Sequence, residues 1–112
     1  MTRLPTRLWL DGLRRNVTTN GGFATIIAKG EPVAGAVILI LRGRDSHVSA
    51  WARTNLGDGT VDWRALVENE PEDSKKLEET LEKQRRYDPD LWLIELDIPD
   101  PAQFIADLAS VS

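Results

Sequence analysis

The sequence predicts an α+β fold in which helices pack on a mainly antiparallel sheet of about five strands. Three observations support this class. In the middle of the chain, short apolar or alternating segments are separated by turns that contain glycine and aspartate, which is typical of hairpins. Both ends of the chain repeat apolar residues at helical spacing. A segment rich in glutamate and lysine precedes the last apolar segment, which indicates a helix with a solvated face.

The composition indicates a single domain over residues 1–112. The chain has no cysteine, which excludes disulfides and thiolate metal sites. Its net charge of −4 argues against the basic surface of a nucleic-acid-binding protein. The first residues lack the apolar run of a signal peptide, and no segment approaches the ~20 apolar residues of a membrane span. We therefore expect a cytoplasmic protein without membrane contact.

The first element is a helix predicted from about Leu4 to Thr18. Gly21 and Gly22 follow as a stop signal. Arg14 and Arg15 are expected near its end, where cations complement the helix dipole. The apolar stripe that faces the core consists of Trp9, Leu10, Leu13 and Val17.

Three strands are predicted next, and the second of them is the centre of the sheet. Phe23 to Ala28 forms a short strand, and Val33 to Leu41 is apolar on both alternating faces, so we expect an interior strand covered above and below. A hairpin loop, Arg42 to Asp45, leads into the third strand, Ser46 to Arg53. On that strand Val48, Ala50 and Ala52 face one way, and His47, Ser49, Trp51 and Arg53 face the other.

A fourth, one-sided strand follows a predicted turn at Gly57–Gly59. Its buried positions are Val61, Trp63, Ala65 and Val67. Asn69 is expected to cap the charged helix, with Pro71 in its first turn and its end near Tyr87. Leu77 and Leu81 form its thin apolar line.

The chain ends with a strand and a short helix. Leu91 to Leu96 is the last predicted strand. Asp100 caps the final helix and Pro101 is its first residue, while Phe104, Ile105 and Leu108 supply its buried side. The predicted order is therefore α-β-β-β-β-α-β-α.

Three motifs resemble a known family. They are Leu8-Trp9-Leu10 with Leu13-Arg14-Arg15, Gly35-Ala36-Val37, and the segment from Tyr87 to Glu95, which reads YDPDLWLIE. Together they are similar to a mostly alphaproteobacterial family known only as domain of unknown function 1491. The resemblance implies the same fold and a cytoplasmic setting, and it implies no activity.

An acidic segment gives the first candidate site. Asp88, Asp90 and Glu95 are possible ligands for a small molecule or a divalent cation, since Mg²⁺ and Ca²⁺ prefer carboxylate oxygens. The simpler interpretation assigns Asp88 and Asp90 to the turn and leaves the other acidic side chains as solvated strand ends or caps. Turn and cap roles are sufficient for these residue types, so we favour them.

The single histidine gives a weaker candidate. His47 lies between Asp45 and Ser49, which are the residue types of a hydrolase triad. The chain lacks the Gly-x-Ser-x-Gly motif that would support a triad, and a lone histidine near a hairpin is usually a surface residue. We therefore expect His47 to have no catalytic role.

The arginines and one tryptophan give the leading candidate. Trp51, Arg53, Arg42 and Arg44 are predicted to form a partner-binding surface, because aromatics beside arginine are typical of interfaces. Together with Arg14 and Arg15, the two hairpin arginines could form a basic patch for phosphate. For the arginines, the alternative is local roles in a helix end and a polar loop. For Trp51, the alternative is that the first or the last helix covers it.

These observations predict a non-catalytic protein-interaction or self-associating module that uses an exposed sheet face or edge. A divalent-metal or small-ligand enzyme built on the acidic segment is the alternative. Weak phosphate or nucleic-acid binding through the arginines comes third, because the net charge is negative. No cofactor is expected.

Overall fold

A five-stranded sheet with helices on both faces organises the chain. The computed structural model describes residues 4–55 and 61–110, so the turn predicted at 57–59 lies outside the described residues. The predicted α+β class and element order are confirmed. The helices are α1 (Thr6–Thr19), α2 (Lys75–Tyr87) and α3 (Pro101–Ser110); the strands are β1 (Phe23–Ala28), β2 (Val37–Arg42), β3 (His47–Asn55), β4 (Val61–Pro71) and β5 (Trp92–Asp97).

The strands lie in the order β1-β5-β2-β3-β4. β5 enters between β1 and β2, pairing antiparallel with β1 and parallel with β2. β2–β3 and β3–β4 are antiparallel, so the sheet is mainly antiparallel, as predicted. The last strand is therefore interior, β2 is at the centre, and β1 and β4 are the two edges.

Each face of the sheet carries its own core. On the α1/α3 face, α1 packs through Leu10, Leu13 and Val17, and α3 covers part of the same cluster. On the opposite face, here the α2 face, α2 packs through Leu77, with Leu81 at the margin, as the sequence predicted. The strand residues of the α1/α3 core are Val37, Leu39, Leu41, Trp63, Trp92, Ile94 and Leu96; those of the α2 core are Ile38, Ile40, Val48, Ala50, Val67 and Leu93.

The interior position predicted for the second strand is confirmed, but its start is not. Alternate β2 residues supply both cores, and Val37 to Leu41 are at most 3% exposed. Val33, predicted to open the strand, is 65% exposed and lies in a turn. That turn is held by the Glu31 carboxylate, which accepts hydrogen bonds from the backbone N–H of Val33 at 3.1 Å and of Ala34 at 2.6 Å. Local turn bonding therefore outweighs apolar composition here.

The same connection is tied to the turn before β5. The indole Nε1 of Trp92 donates to the Glu31 carbonyl at 2.8 Å, and the Glu31 N–H donates to the Asp90 carbonyl at 2.9 Å. A Cβ added at Gly30 would lie 2.2 Å from the Asp90 oxygen, so only glycine fits this close approach. The β1–β2 connection is thus fixed to β5 rather than free on the surface.

The predicted start of the charged helix is wrong. β4 continues to Pro71, and α2 begins at Lys75 with Ser74 as its cap, whose Oγ accepts from the Lys76 N–H at 3.1 Å. Asn69 has a φ of 50° at an irregularity where β4 pairs with β3. Strand pairing, which is a long-range contact, overrides the local cap signal.

The first helix also differs from the prediction at its end. α1 extends to Thr19, so Arg14 and Arg15 lie before the last turn and the dipole role expected for them is wrong. Gly21 ends the helix as expected, with a φ of 84°. Within residues 4–55 and 61–110, no helix has the length and apolarity needed to cross a bilayer.

Candidate functional site

The β3 side chains that the sequence grouped together do share one face of the sheet, beneath α1 and α3. They are His47, Ser49, Trp51 and Arg53. Trp51 is half-buried and packs against the α1/α3 core, and its Nε1 donates to the Ser49 Oγ at 3.0 Å. Only part of the Trp51 ring therefore remains open to a partner.

Arg53 lies against α1. Its guanidinium carbon sits 4.6 Å from the centroid of the Trp9 ring, a cation–π arrangement. Trp9 in turn stacks on Trp63 with ring centroids 5.9 Å apart, and an Arg53 nitrogen lies 3.5 Å from the Thr6 Oγ1. These contacts give Arg53 a role in seating α1 on the sheet.

Arg42 belongs to the opposite face of the sheet. Its Nε donates to the Glu95 carboxylate, and its Nη1 lies 3.3 Å from the Glu72 carboxylate. It therefore joins β2 to β5 and to the segment between β4 and α2. The structure thus separates Arg42 from Trp51 and Arg53, which the sequence analysis placed on one surface.

Arg44 lines a groove of about 550 Å³ between the β2–β3 hairpin and the start of α3, here called the strand groove. His47, Ser49 and Trp51 line it too, so these residues and one of the arginines converge. The other polar lining residues are Asp45, Glu68, Asn69 and Asp100. Three carboxylates face one arginine, so the groove does not form the basic patch considered from sequence. Arg14 and Arg15 are exposed on α1 and do not line it.

His47 makes its hydrogen bonds within the turn that precedes β3. The His47 Nδ1 lies 2.9 Å from the Asp45 carbonyl oxygen, and the His47 N–H donates to the Asp45 carboxylate at 3.2 Å. Ser46 between them has a φ of 64°. Among the described residues no hydrogen bond joins the His47 ring to Ser49, whose hydroxyl accepts from Trp51. This arrangement is that of a strained turn rather than a triad.

The acidic residues are also separated. Asp88 ends α2 and its Oδ1 accepts from the Asp90 N–H at 3.1 Å, which is the turn role favoured from sequence. Glu95 pairs with Arg42, and the Asp100 Oδ1 accepts from the Gln103 N–H at 3.2 Å as the expected cap of α3. Within the described ranges, no three acidic or histidine side chains are grouped as a metal site requires.

Strand β1 carries the exposed feature that the sequence analysis did not identify. Phe23 is 73% exposed and Ile27 is 51% exposed, with exposed Thr25 between them. Ala24 and Ile26 point the other way and pack on the α1/α3 core. The sequence signal is the alternation in FATIIA, which contains no charge.

The other edge strand is protected. β4 alternates exposed charged residues with buried ones, its pairing with β3 is irregular, and it ends in a proline. These are the usual devices that prevent edge-to-edge association. The exposed charged residues of β4 include Asp62, Arg64 and Glu68. In the described part of the chain, β1 pairs only with β5 and has none of these devices except one irregularity near its end.

Comparisons with known proteins agree with this fold. Residues 4–106 match the model of a family described as "Protein of unknown function (DUF1491)". A DUF1491 family protein from Caulobacter crescentus CB15, solved by crystallography, is 31% identical, with 88% of this chain and 91% of that chain covered and a TM-score of 0.76. The solution structure of Atu0922 from A. tumefaciens is 25% identical, with 88% and 89% covered and a TM-score of 0.77. No curated protein matches the chain.

Proposed function

Because this chain belongs to the DUF1491 family, whose members are described as proteins of unknown function, we propose its role from geometry: it is a protein-interaction module that self-associates through strand β1. The observation that carries this proposal is the contrast between the two edges of the sheet. β1 is uncharged and exposes Phe23 and Ile27, whereas β4 carries charges and a terminal proline. The cytoplasmic setting expected from the sequence stays a prediction.

A second copy of the chain is the partner that fits this edge. An edge strand leaves backbone N–H and C=O groups that another strand can pair with. Regular antiparallel pairing of β1 with itself about Thr25 places Phe23 opposite Ile27 of the partner subunit, twice by symmetry, with Ile27 at the irregularity that ends the strand. Aromatic and β-branched residues in that position stabilise a sheet by roughly 0.2–1 kcal/mol a pair. No like charges meet, because β1 has none.

The self-paired register also keeps the inward side chains in place. Ala24 falls opposite Ile26 of the partner subunit on the α1/α3 face, where both already pack on the core. The two sheets then form one continuous sheet. The same strand of each subunit meets across a two-fold axis, which is the geometry of an isologous dimer. The side chains around the axis on the α2 face are short or apolar, so little desolvation opposes the contact.

The first test is a charge at the axis. Thr25 is exposed in the free chain, so the fold should tolerate Thr25→Lys. In the dimer, pairing of the two β1 strands would bring the lysine ammonium groups of both subunits together. We expect the parent to show a concentration-dependent dimer by light scattering after size exclusion and the variant to be monomeric. Tyr87→Lys, at a residue 77% exposed on α2, is the matched control and should associate like the parent.

The second test measures the register. The chain has no cysteine, so Thr25→Cys introduces a single thiol. Directly opposed antiparallel residues have Cα atoms about 4.5–5.5 Å apart, within the range that a disulfide spans. We expect mild oxidation to give a covalent dimer from Thr25→Cys and not from Tyr87→Cys. A parent that is monomeric at all concentrations, or equal cross-linking of both variants, would refute the proposal.

A further inference from the structure

A second surface lies between α1 and α3, away from the exposed side chains of β1. It is an open groove of about 710 Å³, here called the helix groove. Its floor is apolar and includes Leu13, Val17, Ile98 and Phe104. Leu8 on its α1 wall is 43% exposed, and Leu4 at its end is 60% exposed. The described residues therefore leave apolar surface uncovered in a concave site, and such sites are where partners bind.

Gly12 in the α1 wall is not explained by packing within the chain. A glycine in a helix interior costs about 1 kcal/mol relative to alanine. Gly12 lies in the middle of α1, and no described atom is within 4 Å of a Cβ built on it. By contrast, Gly30 and Gly35 would each place a Cβ within 3.0 Å of neighbouring backbone. Gly12 lines the groove, so a partner side chain placed beside it meets no described atom close to the helix backbone.

The polar residues at the rim of the groove favour one sign of charge on a binding partner. Asp100 and Asp107 line the groove together with three amide side chains, one of which, Gln103, donates to the Asp107 carboxylate at 2.8 Å. Among the lining residues that the structure describes, none is lysine or arginine. The amide residues are Asn16, Asn20 and Gln103. Carboxylates at the rim favour a cationic partner and disfavour an anionic one.

The walls determine the shape of the occupant. Both walls are helices, which offer no strand edge, so an extended peptide would bury unpaired backbone groups against Leu13 and Phe104. A helix satisfies its own backbone and presents only side chains. The groove is lined from Leu4 to Asn20, along the whole of α1, whose 14 residues span about 21 Å. A small apolar molecule would leave most of that length open.

We propose that the helix groove binds an amphipathic helix of another protein, with apolar residues at i, i+3, i+4 and i+7 along the floor and lysine or arginine at the flanks. The apolar side chains fill the space beside Gly12, and the basic side chains lie along the polar rim, next to Asp100. This binding is separate from self-association, since Phe23 and Thr25, whose neighbours Ala24 and Ile26 pack on the α1/α3 core, lie on the α2 face.

The test uses three labelled peptides of about 14 residues, which match the length of α1. One is a leucine–lysine helix with the apolar stripe, one carries glutamate in place of lysine, and one has the leucine–lysine composition in an order without a stripe. Fluorescence anisotropy with the full chain should show saturable binding of the first and binding at least about tenfold weaker for the other two. Equal binding of the striped and scrambled peptides reduces the interaction to net charge and overturns the proposal.

Two groove variants locate the site. Gly12→Leu places a side chain in the groove, and its Cβ has no described atom within 4 Å. The variant should remain folded and lose at least about tenfold in affinity for the striped peptide. Gly12→Ala is the matched control and should bind within about threefold of the parent. Leu8→Lys serves as a second groove variant and should also weaken binding. Unchanged affinity in both Gly12→Leu and Leu8→Lys would place the peptide elsewhere and refute the proposal, as would binding of phosphatidylcholine vesicles in place of the peptide.

Discussion

At the scale of single residues, Glu31 fixes the connection between β1 and β2. Its carboxylate accepts hydrogen bonds from the N–H groups of Ala34 and Val33, its carbonyl accepts from the Trp92 indole, and its N–H donates to Asp90. One glutamate thus forms a turn and ties it to β5. The bonds to Ala34 and, to a smaller extent, Val33 lower the pKa of the Glu31 carboxyl below its ordinary value.

The lowered pKa gives a pH-dependent prediction. The hydrogen bonds of the folded chain stabilise the ionised form of Glu31. The contribution of Glu31 to stability is therefore complete above its unfolded pKa and is lost as the pH falls through its folded pKa. We expect Glu31→Gln to lower the free energy of unfolding at neutral pH. Below the folded pKa the parent has a protonated, uncharged side chain as well, so the difference should shrink there.

Urea unfolding at about pH 7 and at the lowest pH at which both proteins still fold measures this difference. Glu79→Gln, at an exposed position of α2, is the control and should show no such pattern. A Glu31→Gln penalty that is the same at both pH values would show that the side chain acts through shape rather than charge.

At the same scale, two of the predicted partner-binding residues show why residue type alone does not identify an interface. Arg42 and Arg53 have the composition of an interface, yet one pairs with Glu95 and the other lies over Trp9. Both arginines hold elements of the fold together. Their neighbours come from distant parts of the chain, and no local pattern shows which of them they will meet.

At the scale of elements, the boundary between β4 and α2 shows how pairing competes with capping. Asn69, Glu70 and Pro71 resemble a helix start, but β3 pairs with this segment: Val48 lies opposite Glu70 and His47 opposite Pro71. The helix must then start later, and Ser74 supplies the cap. Propensity is a weak prior that tertiary contacts override.

This boundary gives a prediction with an internal control. Ser74→Ala removes the hydrogen bond to the Lys76 N–H and should lower the free energy of unfolding by about 1 kcal/mol. Asn69→Gly should change it by only a few tenths of a kcal/mol, because glycine readily adopts the φ of 50° found there. Chemical denaturation of both variants measures the effects. A larger loss at Asn69 than at Ser74 would contradict the observed start of α2.

The two edge strands make the second point at this scale. β4 has the charges and proline that discourage association, whereas β1 has neither and is the shorter strand. An edge strand can be identified only when the strand order is known, because the sequence of a strand does not tell whether it has one neighbouring strand or two. This is why the sequence could predict an exposed sheet edge but could not identify β1 as the uncharged one.

At the scale of the whole molecule, the insertion of β5 between β1 and β2 places the last strand beside the first two in one sheet. β5 and β2 are then covered on both faces, one by α1 and α3 and the other by α2. Their apolar residues are almost fully buried. Opening these strands therefore requires separating both cores.

We expect this burial to set the order of amide hydrogen exchange. The amides of β2 and β5 should exchange most slowly, with free energies of opening near that of global unfolding, and those of α3 should exchange faster because that helix covers only part of one face. Native-state exchange followed by NMR measures this order. Exchange of the β2 amides as fast as those of α3 would contradict a shared central core.

The sequence by itself determined the number, type and order of the elements, because each of them has its own periodicity, caps or turn residues. The interior position of β2 also followed, since only a strand covered on both faces has no polar side. Among the candidate residues, the turn role of Asp88 and the cap role of Asp100 were predictable because their hydrogen bonds are made within three residues.

The tertiary structure decided which strands are edges, which face each helix covers and which charged groups meet. The pairing of Arg42 with Glu95 joins residues 53 positions apart, and the helix groove joins the first helix to the last. Such contacts depend on strand order, which the periodicity of one segment does not encode. The surfaces proposed to bind partners, the β1 edge and the helix groove, are both defined by what the rest of the chain leaves uncovered.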